Sequence, residues 1–414
     1  MADRGVVIVG GGQGAFQLAA SLRELGFAAS VTIVGEEPVA PYQRPPLSKA
    51  YLLGEMDRER LLLRPLSFYD QHEIGLLSGE SVTRIERTAQ RVVLASGAAL
   101  DYAHLVLATG ARNRHLPGLP ADATNVFHLR TFAESDAIRE HLAAARDIAV
   151  VGAGFIGLEL AAVASKLGKS VRVIDQMPRV MSRAVSQTTS EFFAGAHRAW
   201  GVALLLGDGV AGFDSAGGRV TQVRVASGAA VPADLLLVGI GVVPNVELAA
   251  EAGLPVDNGI VVDRHLLTAD PAISAIGDCA SFPSRFTGGM VRLESVQNAV
   301  DHARCVAARL TGKPAEYGSV PWFWSDQRDL KLQMVGMTAG SDRSVLRGDP
   351  ATQRFSVYCF SKGTLAGIES VNRPADHMFG RRLLAANASV TPEQVADPAF
   401  DPKTFLAAAG VAAG

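Results

Sequence analysis

The stretch Gly5-Val6-Val7-Ile8-Val9-Gly10-Gly11-Gly12 resembles a second stretch of the same chain, Ala149-Val150-Val151-Gly152-Ala153-Gly154. Each begins as an apolar run, passes through glycines and leads into an apolar helical pattern. The two helical patterns end near Gly26 and Gly168, a residue type common just after a helix. A second, largely β-branched run then follows. Strand, glycine turn, helix and strand in this order predict two parallel βαβ units.

The composition is that of a globular protein of two or three domains, since the chain has 414 residues and a domain takes roughly 150. A net charge of −2 does not indicate nucleic acid or an acidic membrane surface as a partner. The three cysteines, Cys279, Cys305 and Cys359, lack CxxC spacing. This argues against a disulfide scaffold, a metal site or a dithiol motif and favours a reduced, cytoplasmic setting. The longest apolar stretch, 148–164, is interrupted by glycines and by Glu159, so we expect no membrane span.

Both glycine turns have the residue types of a dinucleotide-binding fingerprint. The first is Gly10-x-Gly12-x-x-Ala15 and the second is Gly152-x-Gly154-x-x-Gly157. The first glycine permits the turn, the second lets a pyrophosphate approach the backbone, and the third position must be small for helix–strand packing. The following helix would hold the phosphates at its N-terminus. One such motif is weak by itself, but two in βαβ context predict two bound dinucleotides.

An acidic residue at the end of the second strand would bind the adenosine ribose. Asp175 has this position in the second unit, about 20 residues after the first glycine. A carboxylate accepts from a 2′-OH and repels a 2′-phosphate, which favours NADH over NADPH; Arg172 and Arg179 nearby would weaken that preference. A solvated turn acid is the alternative. In the first unit Gly35 stands at this position, and the acid follows at Glu36.

Further segments carry a resemblance to a known family. Ala108-Thr109-Gly110 ends an apolar run, and Gly277-Asp278 follows another, as in the FAD segments of glutathione-reductase-like flavoproteins. Three more segments, PYQRPPLSK at 41–49, ESVQNA at 294–299 and PWFWSDQ at 321–327, narrow this similarity. Together they resemble NADH-dependent ferredoxin reductases of the putidaredoxin reductase and Rieske dioxygenase reductase type. The resemblance covers roughly residues 5 to 385.

The resemblance implies an α/β fold with two Rossmann-like dinucleotide-binding domains, for FAD and NADH, plus a smaller α+β C-terminal domain. The FAD domain would be discontinuous, and the alanine-rich tail from Ala385 is expected to be flexible. A monomer or weak dimer is expected. The implied domains are 1–115 with 246–320 for FAD, 116–245 for NADH, and 321–414 for the C-terminal domain.

The implied reaction is hydride transfer from NADH to flavin N5, followed by two one-electron transfers to a [2Fe-2S] ferredoxin that serves a cytochrome P450 or a Rieske oxygenase. Lys49 and Glu159 are the candidate catalytic residues. A carboxylate among apolar helix residues is costly unless it is paired, and the resemblance implies that Lys49 meets Glu159 beside N5. The alternative is a solvated Lys49, with Glu159 interacting only with the helix dipole.

The resemblance also implies the cofactor contacts. Ordinary surface roles stay open for the arginines, and a core role stays open for Phe155. The candidate FAD residues are Gly10, Gly12, Gly14, Ala15, Glu36, Arg44, Pro45, Lys49, Val82, Ala108, Thr109, Gly110, Arg112, Arg130, Gly277, Asp278, Val296 and Trp324. The candidate NADH residues are Gly152, Gly154, Phe155, Ile156, Gly157, Glu159, Asp175 and Gly241.

Two residues are candidates for docking the acidic ferredoxin. Trp322 and Trp324 flank Phe323, and side chains two apart in a strand share a face. The resemblance places Trp324 near the flavin edge at the docking site, although all three aromatics would also suit a core. Arg304 is the candidate for a basic rim that steers the partner.

Four other functions are alternatives to this interpretation. A rubredoxin reductase would use the same machinery. An NADH-sensing flavoprotein that acts as a binding module belongs to a different class, and would call for a targeting segment or a basic interaction face. Peroxide and disulfide reductases need redox cysteines early in the chain, whereas the first cysteine is Cys279.

Overall fold

The computed structural model describes residues 4–388 and 390–410. The chain forms two compact units, each built from three segments. The first unit consists of Met1–Gln43, Asp57–Arg112 and Val243–Ser319. The second consists of Arg44–Met56, Asn113–Val242 and Val320–Gly414.

A five-stranded parallel sheet forms the core of the first unit. Its central strand, Val6–Val9, pairs with Val31–Gly35 on one side and His104–Leu107 on the other. All four residues of the central strand are buried, as expected for a parallel sheet covered on both faces. The strands lie in the order Ile273–Ala275, His104–Leu107, Val6–Val9, Val31–Gly35, Ile74–Ser78.

The other elements of the first unit are smaller sheets and helices. Helix Gln13–Glu24 packs against helix Val296–Leu310, which begins directly after Ser295. The two three-stranded sheets consist of Val82–Glu86, Arg91–Leu94 and Ala99–Asp101, and of Ile260–Val261, Ala280–Pro283 and Met290–Val291. The remaining helices are Arg58–Leu61, Leu66–Gln71, Glu247–Glu251 and the 3-10 turn Gly277–Cys279.

The second unit repeats the same parallel arrangement. Asp147–Val151 is its central strand, between Ser170–Asp175 and Leu235–Val238. Helix Phe155–Lys166 follows the central strand, and Gly168 after it has φ +74°. The predicted βαβ duplication is therefore confirmed. The strands lie in the order Ala203–Leu206, Ser170–Asp175, Asp147–Val151, Leu235–Val238, Val126–Phe127.

A five-stranded antiparallel sheet forms the C-terminal part of the second unit, and helix Pro374–Ala385 packs on it. Its first strand, Trp322–Gln327, contacts helix Phe155–Lys166, which brings the C-terminal segment to the second glycine turn. The expected α/β fold with an added α+β part is confirmed. The strands lie in the order Trp322–Gln327, Leu330–Gly336, Thr364–Val371, Arg354–Ser361, Arg343–Asp349.

The elements after Ala385 are attached to this sheet by polar and aromatic contacts. Arg347 donates to the carbonyl oxygens of Val395, Asp397 and Phe400. The rings of Phe400 and Phe405 also contact Phe379, with centroids 6.0 and 6.3 Å away. These contacts tie the chain before residue 411 to the sheet; the last four residues of the tail lie outside the described ranges.

The remaining elements of the second unit complete the list. A three-stranded antiparallel sheet consists of Val210–Ala216, Arg219–Val225 and Ala230–Pro232. The other helices are Phe132–Ala144, Gln187–Ala199, Pro392–Ala396 and Pro402–Ala408, with 3-10 turns Pro45–Ser48 and Pro350–Thr352. Strands Ala111–Asn113 and Val242–Pro244, where the chain passes from one unit to the other, form a two-stranded sheet.

Candidate functional site

The glycine turn of the first unit combines a tight backbone with an open helix end. Gly10 has φ +117°, and a Cβ there would lie 2.2 Å from the carbonyl oxygen of Ala108, so only glycine fits. A Cβ on Gly12 would meet nothing within 4 Å. Gly12 caps helix Gln13–Glu24, whose free N–H groups and positive dipole end favour an anion. Ala15 at the third position is fully buried, as helix–strand packing requires.

The end of the neighbouring strand explains why the acid of this unit is shifted. Gly10 donates its N–H to the carbonyl of Val34, and Gly152 makes the same bond to Ile174, so Gly35 occupies the place that Asp175 has in the second unit. A Cβ on Gly35 would lie only 3.2 Å from the Cα of Gly11. A side chain at this position would therefore crowd the glycine turn. The exposed Glu36 is the next residue that can offer a carboxylate.

The second glycine turn is packed more tightly. A Cβ on Gly157 would lie 2.0 Å from the carbonyl oxygen of Gly152, and a Cβ on Gly152 would lie 2.3 Å from that of Gly239. Packing therefore requires glycine at the first and third positions of this turn, Gly152 and Gly157. Gly154, in contrast, faces open space and caps helix Phe155–Lys166. These features fit a pyrophosphate at the helix end.

Asp175 ties the end of its strand to the glycine turn. Its carboxylate accepts the N–H groups of Ala153 at 2.6 Å and Met177 at 2.8 Å. Each oxygen accepts one of these backbone N–H groups and keeps a further lone pair, so the half-buried carboxylate can still accept from a ribose hydroxyl.

The two arginines that would favour a 2′-phosphate are engaged elsewhere. Arg179 donates to the carbonyl oxygens of Val185 and Ser182, both at 2.8 Å. Arg172 pairs with Asp147 at 2.9 Å, at the start of the central strand. Both guanidinium groups are therefore engaged by other groups of the chain and not by Asp175.

Lys49 and Glu159 form an ion pair, with Nζ 2.6 Å from Oε2. The pairing that the sequence suggested is thus present, and Glu159 is only 5% exposed. Two serine hydroxyls also donate hydrogen bonds to this carboxylate: Ser48 to Oε2 at 2.5 Å and Ser325 to Oε1 at 2.7 Å. Lys49 also donates to the carbonyl of Pro45 at 3.1 Å. A buried carboxylate is tolerated when charge and hydrogen bonds surround it in this way.

Ser48 and Ser325 lie in quoted sequence segments, yet their role was not predicted. Turn Pro45–Ser48 and strand Trp322–Gln327 both contact the helix that carries Glu159. A serine has no distinctive spacing, so only the folded chain identifies it as a carboxylate donor.

Thr109 and Asn245 join two segments of the first unit. Thr109 Oγ1 donates to the Asn245 carbonyl at 2.7 Å, and the Asn245 amide donates back to the Thr109 carbonyl at 2.9 Å. Arg112 donates to the Asn245 side chain and pairs with Glu247. Asn245 is a further residue whose role the sequence did not predict. Ala108 and Gly110 flank this junction.

The Gly277-Asp278 turn is held by a buried histidine. Gly277 has φ +73° and donates its N–H to Nδ1 of His302 at 3.1 Å. Burial lowers the pKa of His302 to about 3, so the ring is neutral and can accept this bond. Asp278 is half-buried beside it.

The thiols are protonated at neutral pH. Burial raises the pKa of Cys279, Cys305 and Cys359, although a hydrogen bond or a nearby positive charge partly opposes this at each of them. All three are free. A nucleophilic redox thiolate needs a lowered pKa, so these residues do not suit the peroxide-reducing alternative.

The aromatic residues cluster within the second unit. Phe155 lies against Phe323, with ring centroids 4.7 Å apart, and Trp322 lies 5.6 Å from Trp324. All four side chains are half-buried. Phe155 and Phe323 therefore pack against each other while both remain partly exposed to solvent.

The structure divides the other candidates between the two units. Val296 opens its helix in the first unit, Arg304 is exposed on that helix, and Val82 is buried at a strand start. The second unit contains the remaining candidates, Arg44, Arg130, Ile156 and Gly241. Arg44 donates to the Arg130 carbonyl at 2.5 Å.

Comparison with known proteins agrees with this geometry. The profile described as pyridine nucleotide-disulphide oxidoreductase matches residues 4–303, and the reductase C-terminal profile matches residues 322–406. The chain belongs to the pyridine nucleotide-disulphide oxidoreductase family. The resemblance expected from the sequence is confirmed, as is the expectation of an oxidoreductase from a family that uses FAD and NAD(H).

Members of this family with similar sequences are ferredoxin reductases by name. Rhodocoxin reductase of Rhodococcus erythropolis is 53% identical, with 97% of this chain and 94% of the relative covered. The ferredoxin reductase for the CYP199A2 system from Rhodopseudomonas palustris has a TM-score of 0.95 and 50% identity, with 97% and 99% covered. The covalent putidaredoxin reductase–putidaredoxin complex has a TM-score of 0.96 and 41% identity, with both chains fully covered.

The described ranges contain neither a candidate membrane span nor a candidate metal cluster. No helix in them is long and apolar enough to cross a membrane. Residues 4–388 and 390–410 also contain no group of three His, Cys, Asp or Glu side chains that could hold a metal ion.

The glycines of the second turn allow folding and binding to be separated. We expect Gly157→Ala to destabilise the protein by about 1–3 kcal/mol, since its Cβ would overlap the Gly152 carbonyl oxygen. Gly154→Ala should leave the melting temperature unchanged but raise the Kd for NADH, because its methyl group would enter the open space at the helix end. Thermal unfolding and NADH titration measure the two effects. Normal NADH binding by Gly154→Ala would contradict the phosphate assignment.

Proposed function

We propose that this chain is an FAD-dependent NADH:ferredoxin oxidoreductase whose acceptor is a [2Fe-2S] ferredoxin serving a cytochrome P450 or Rieske oxygenase. The observation that carries the proposal is the ion pair of Lys49 with Glu159, a buried carboxylate on the helix of the second fingerprint. FAD, when bound, supplies the conversion of a hydride into two single electrons. The names of the relatives support a ferredoxin as the acceptor.

Lys49 provides positive charge where negative charge develops during hydride transfer. Its Nζ is fixed by Glu159 and by the Pro45 carbonyl. Preorganised charge of this kind stabilises a transition state without reorganisation of water. Glu159 therefore acts as the anchor that keeps the ammonium group in place.

The nucleotide contacts follow from the two fingerprints. In the second unit Gly152, Gly154 and Gly157 form the NADH turn, and Asp175 binds the ribose. The three-domain layout expected from the sequence is also part of the proposal. In the first unit the glycine turn, Glu36 and Asp278 bind FAD. The other candidate residues named from the sequence are proposed to contact the same cofactors, FAD or NADH, to which the sequence assigned them.

The helix that begins at Val296 supports the same chemistry in the first unit. Ser295 caps this helix by accepting the N–H of Asn298 at 3.0 Å. The remaining N–H groups and the dipole favour negative charge at this end. Trp324 and the exposed Arg304 are the proposed docking residues for the ferredoxin, and a reduced, cytoplasmic setting accords with the three free thiols.

NADH should be preferred to NADPH. We expect kcat/KM to be at least about tenfold higher for NADH, equivalent to about 1.4 kcal/mol, because Asp175 repels a 2′-phosphate and the nearby arginines are engaged. Steady-state kinetics with both nucleotides and one artificial acceptor measure the ratio. Equal values would remove Asp175 as the specificity residue.

Lys49→Ala should slow the reduction of bound flavin by NADH about 100-fold, a loss typical of one transition-state donor. Stopped-flow absorbance measures this step, and the flavin spectrum verifies that FAD stays bound. Lys166→Ala is the matched control, since Lys166 pairs with Glu55 at the surface. An unchanged rate in Lys49→Ala, or an equal loss in the control, would refute the role of Lys49.

A panel of acceptors tests the function itself. Purified [2Fe-2S] ferredoxins and rubredoxins are mixed with the holoenzyme and NADH, and their reduction is followed optically. We expect at least one ferredoxin to be reduced faster than every rubredoxin. Exclusive reduction of rubredoxins would favour the rubredoxin reductase alternative, and reduction of no acceptor, including artificial ones, would favour an NADH-binding module.

A further inference from the structure

A line of buried polar side chains leads from Glu159 into the second unit. Ser325 donates to Glu159 Oε1 at 2.7 Å, and Gln327 Nε2 donates to Ser325 Oγ at 3.3 Å. His197 Nε2 lies 2.8 Å from Gln327 Oε1. Ser325, Gln327 and His197 are at most 1% exposed. The proposed reaction gives no role to the last two of these residues.

The hydrogen bonds of this line all point towards the carboxylate. Gln327 donates through its amide nitrogen, so its oxygen faces His197 and must accept. His197 therefore carries its proton on Nε2. Burial and, to a lesser degree, the charge of Arg328 lower the pKa of His197 to about 4, against the opposing effect of the bond to Gln327, so the ring is neutral at pH 7.

The other ring nitrogen of His197 is consistent with this proton position. Nδ1 is buried and has no hydrogen-bond partner among the described residues. With the proton on Nε2, the atom left unpaired is an acceptor; the opposite tautomer would bury an unpaired N–H and oppose two lone pairs at Gln327. His197 thus determines which way the Gln327 amide faces.

The orientation of the amide matters because a serine hydroxyl can rotate. The N–H of Gln327 occupies a lone pair of Ser325 and leaves its hydrogen for Glu159. Without Ser325, Glu159 Oε1 would lose this donor, whereas Oε2 would retain Lys49 and Ser48. Aligned bonds in a low-dielectric interior also polarise one another.

We propose that His197 is a positioning residue for Glu159, acting through Gln327 and Ser325 to hold the carboxylate that fixes Lys49. The proposal rests on the proposed function for the consequence in hydride transfer. The hydrogen-bond line itself is independent of that function and can be measured separately.

The first test determines where the proton of His197 lies. Nitrogen-15 NMR of the holoenzyme, with the ring signals assigned by their loss in His197→Gln, should show a protonated Nε2 and a bare Nδ1. A proton on Nδ1, or on both nitrogens at pH 7, would overturn the proposal. This result does not depend on whether NADH or ferredoxin is the substrate.

The second test compares two substitutions. His197→Phe keeps a ring but removes the donor, whereas His197→Gln keeps an N–H. We expect His197→Phe to lower the rate constant for flavin reduction about fivefold, the effect of one hydrogen bond, with an unchanged Kd for NADH. His197→Gln should restore most of that rate.

Ser190→Ala is the matched control for these variants. Ser190 is buried on the same helix and donates to the Val180 carbonyl at 2.6 Å. It should lose stability without losing the rate of flavin reduction. Equal rate losses in His197→Phe, His197→Gln and Ser190→Ala would show a purely structural role and refute the proposal.

Ser325→Ala keeps the inference testable if His197→Phe fails to fold. It breaks the same line of hydrogen bonds one step closer to Glu159, and we expect an equal or larger loss in the rate constant for flavin reduction. An unchanged rate would overturn the proposal. If Lys49→Ala is also without effect while the NMR result is as expected, the proposed function fails and the hydrogen-bond line stands.

Discussion

The stability of the second unit depends on hydrogen-bond donors that surround one buried carboxylate, that of Glu159. Glu159 lies on the helix that also forms the dinucleotide turn, so its position and that of Gly154 are coupled by one rigid element. Its donors come from two other segments, the turn that contains Ser48 and the strand that contains Ser325. An unpaired carboxylate here would cost several kcal/mol. The three segments therefore have to meet correctly for the unit to be stable, and the same requirement fixes the ammonium group of Lys49.

The inequality of the two fingerprints has a packing origin. At the third position, Gly157 has no room for a methyl group because the Gly152 carbonyl lies in the way, whereas Ala15 fits fully buried. At the strand end the constraint is reversed: Gly35 is crowded by Gly11, while Asp175 has space for a carboxylate. The first unit thus has room for a side chain at the third position of the turn but is crowded at the strand end, and the second unit has the opposite arrangement. For this reason one consensus pattern describes neither turn completely.

Periodicity and glycine spacing were sufficient to predict the βαβ duplication, since both are local properties of the chain. A charged residue in an apolar helix needs a partner, so the sequence predicted one for Glu159, and the family resemblance implied that this partner is Lys49. Gln327 and His197 could not be found in this way. Their contact joins residues far apart in sequence, and both have side chains that elsewhere in a protein would be ordinary core or surface groups. The engagement of Arg179 by backbone carbonyls likewise depends on loop geometry, which composition does not encode.

The cysteines bear on how electrons leave the enzyme. A reductase that passes electrons through a thiol needs a thiolate at neutral pH, which requires an exposed or electropositive environment. Burial does the opposite at Cys279, next to Asp278, where it is the largest influence on a raised pKa. Its buried thiol lies against the carbonyl oxygens of Leu107 and Ile276, so it behaves as a small packing residue. Since Cys305 and Cys359 are also protonated, transfer through a thiolate is disfavoured within the described chain. Direct one-electron transfer to a separate protein therefore follows from the proposed function more readily than a dithiol relay.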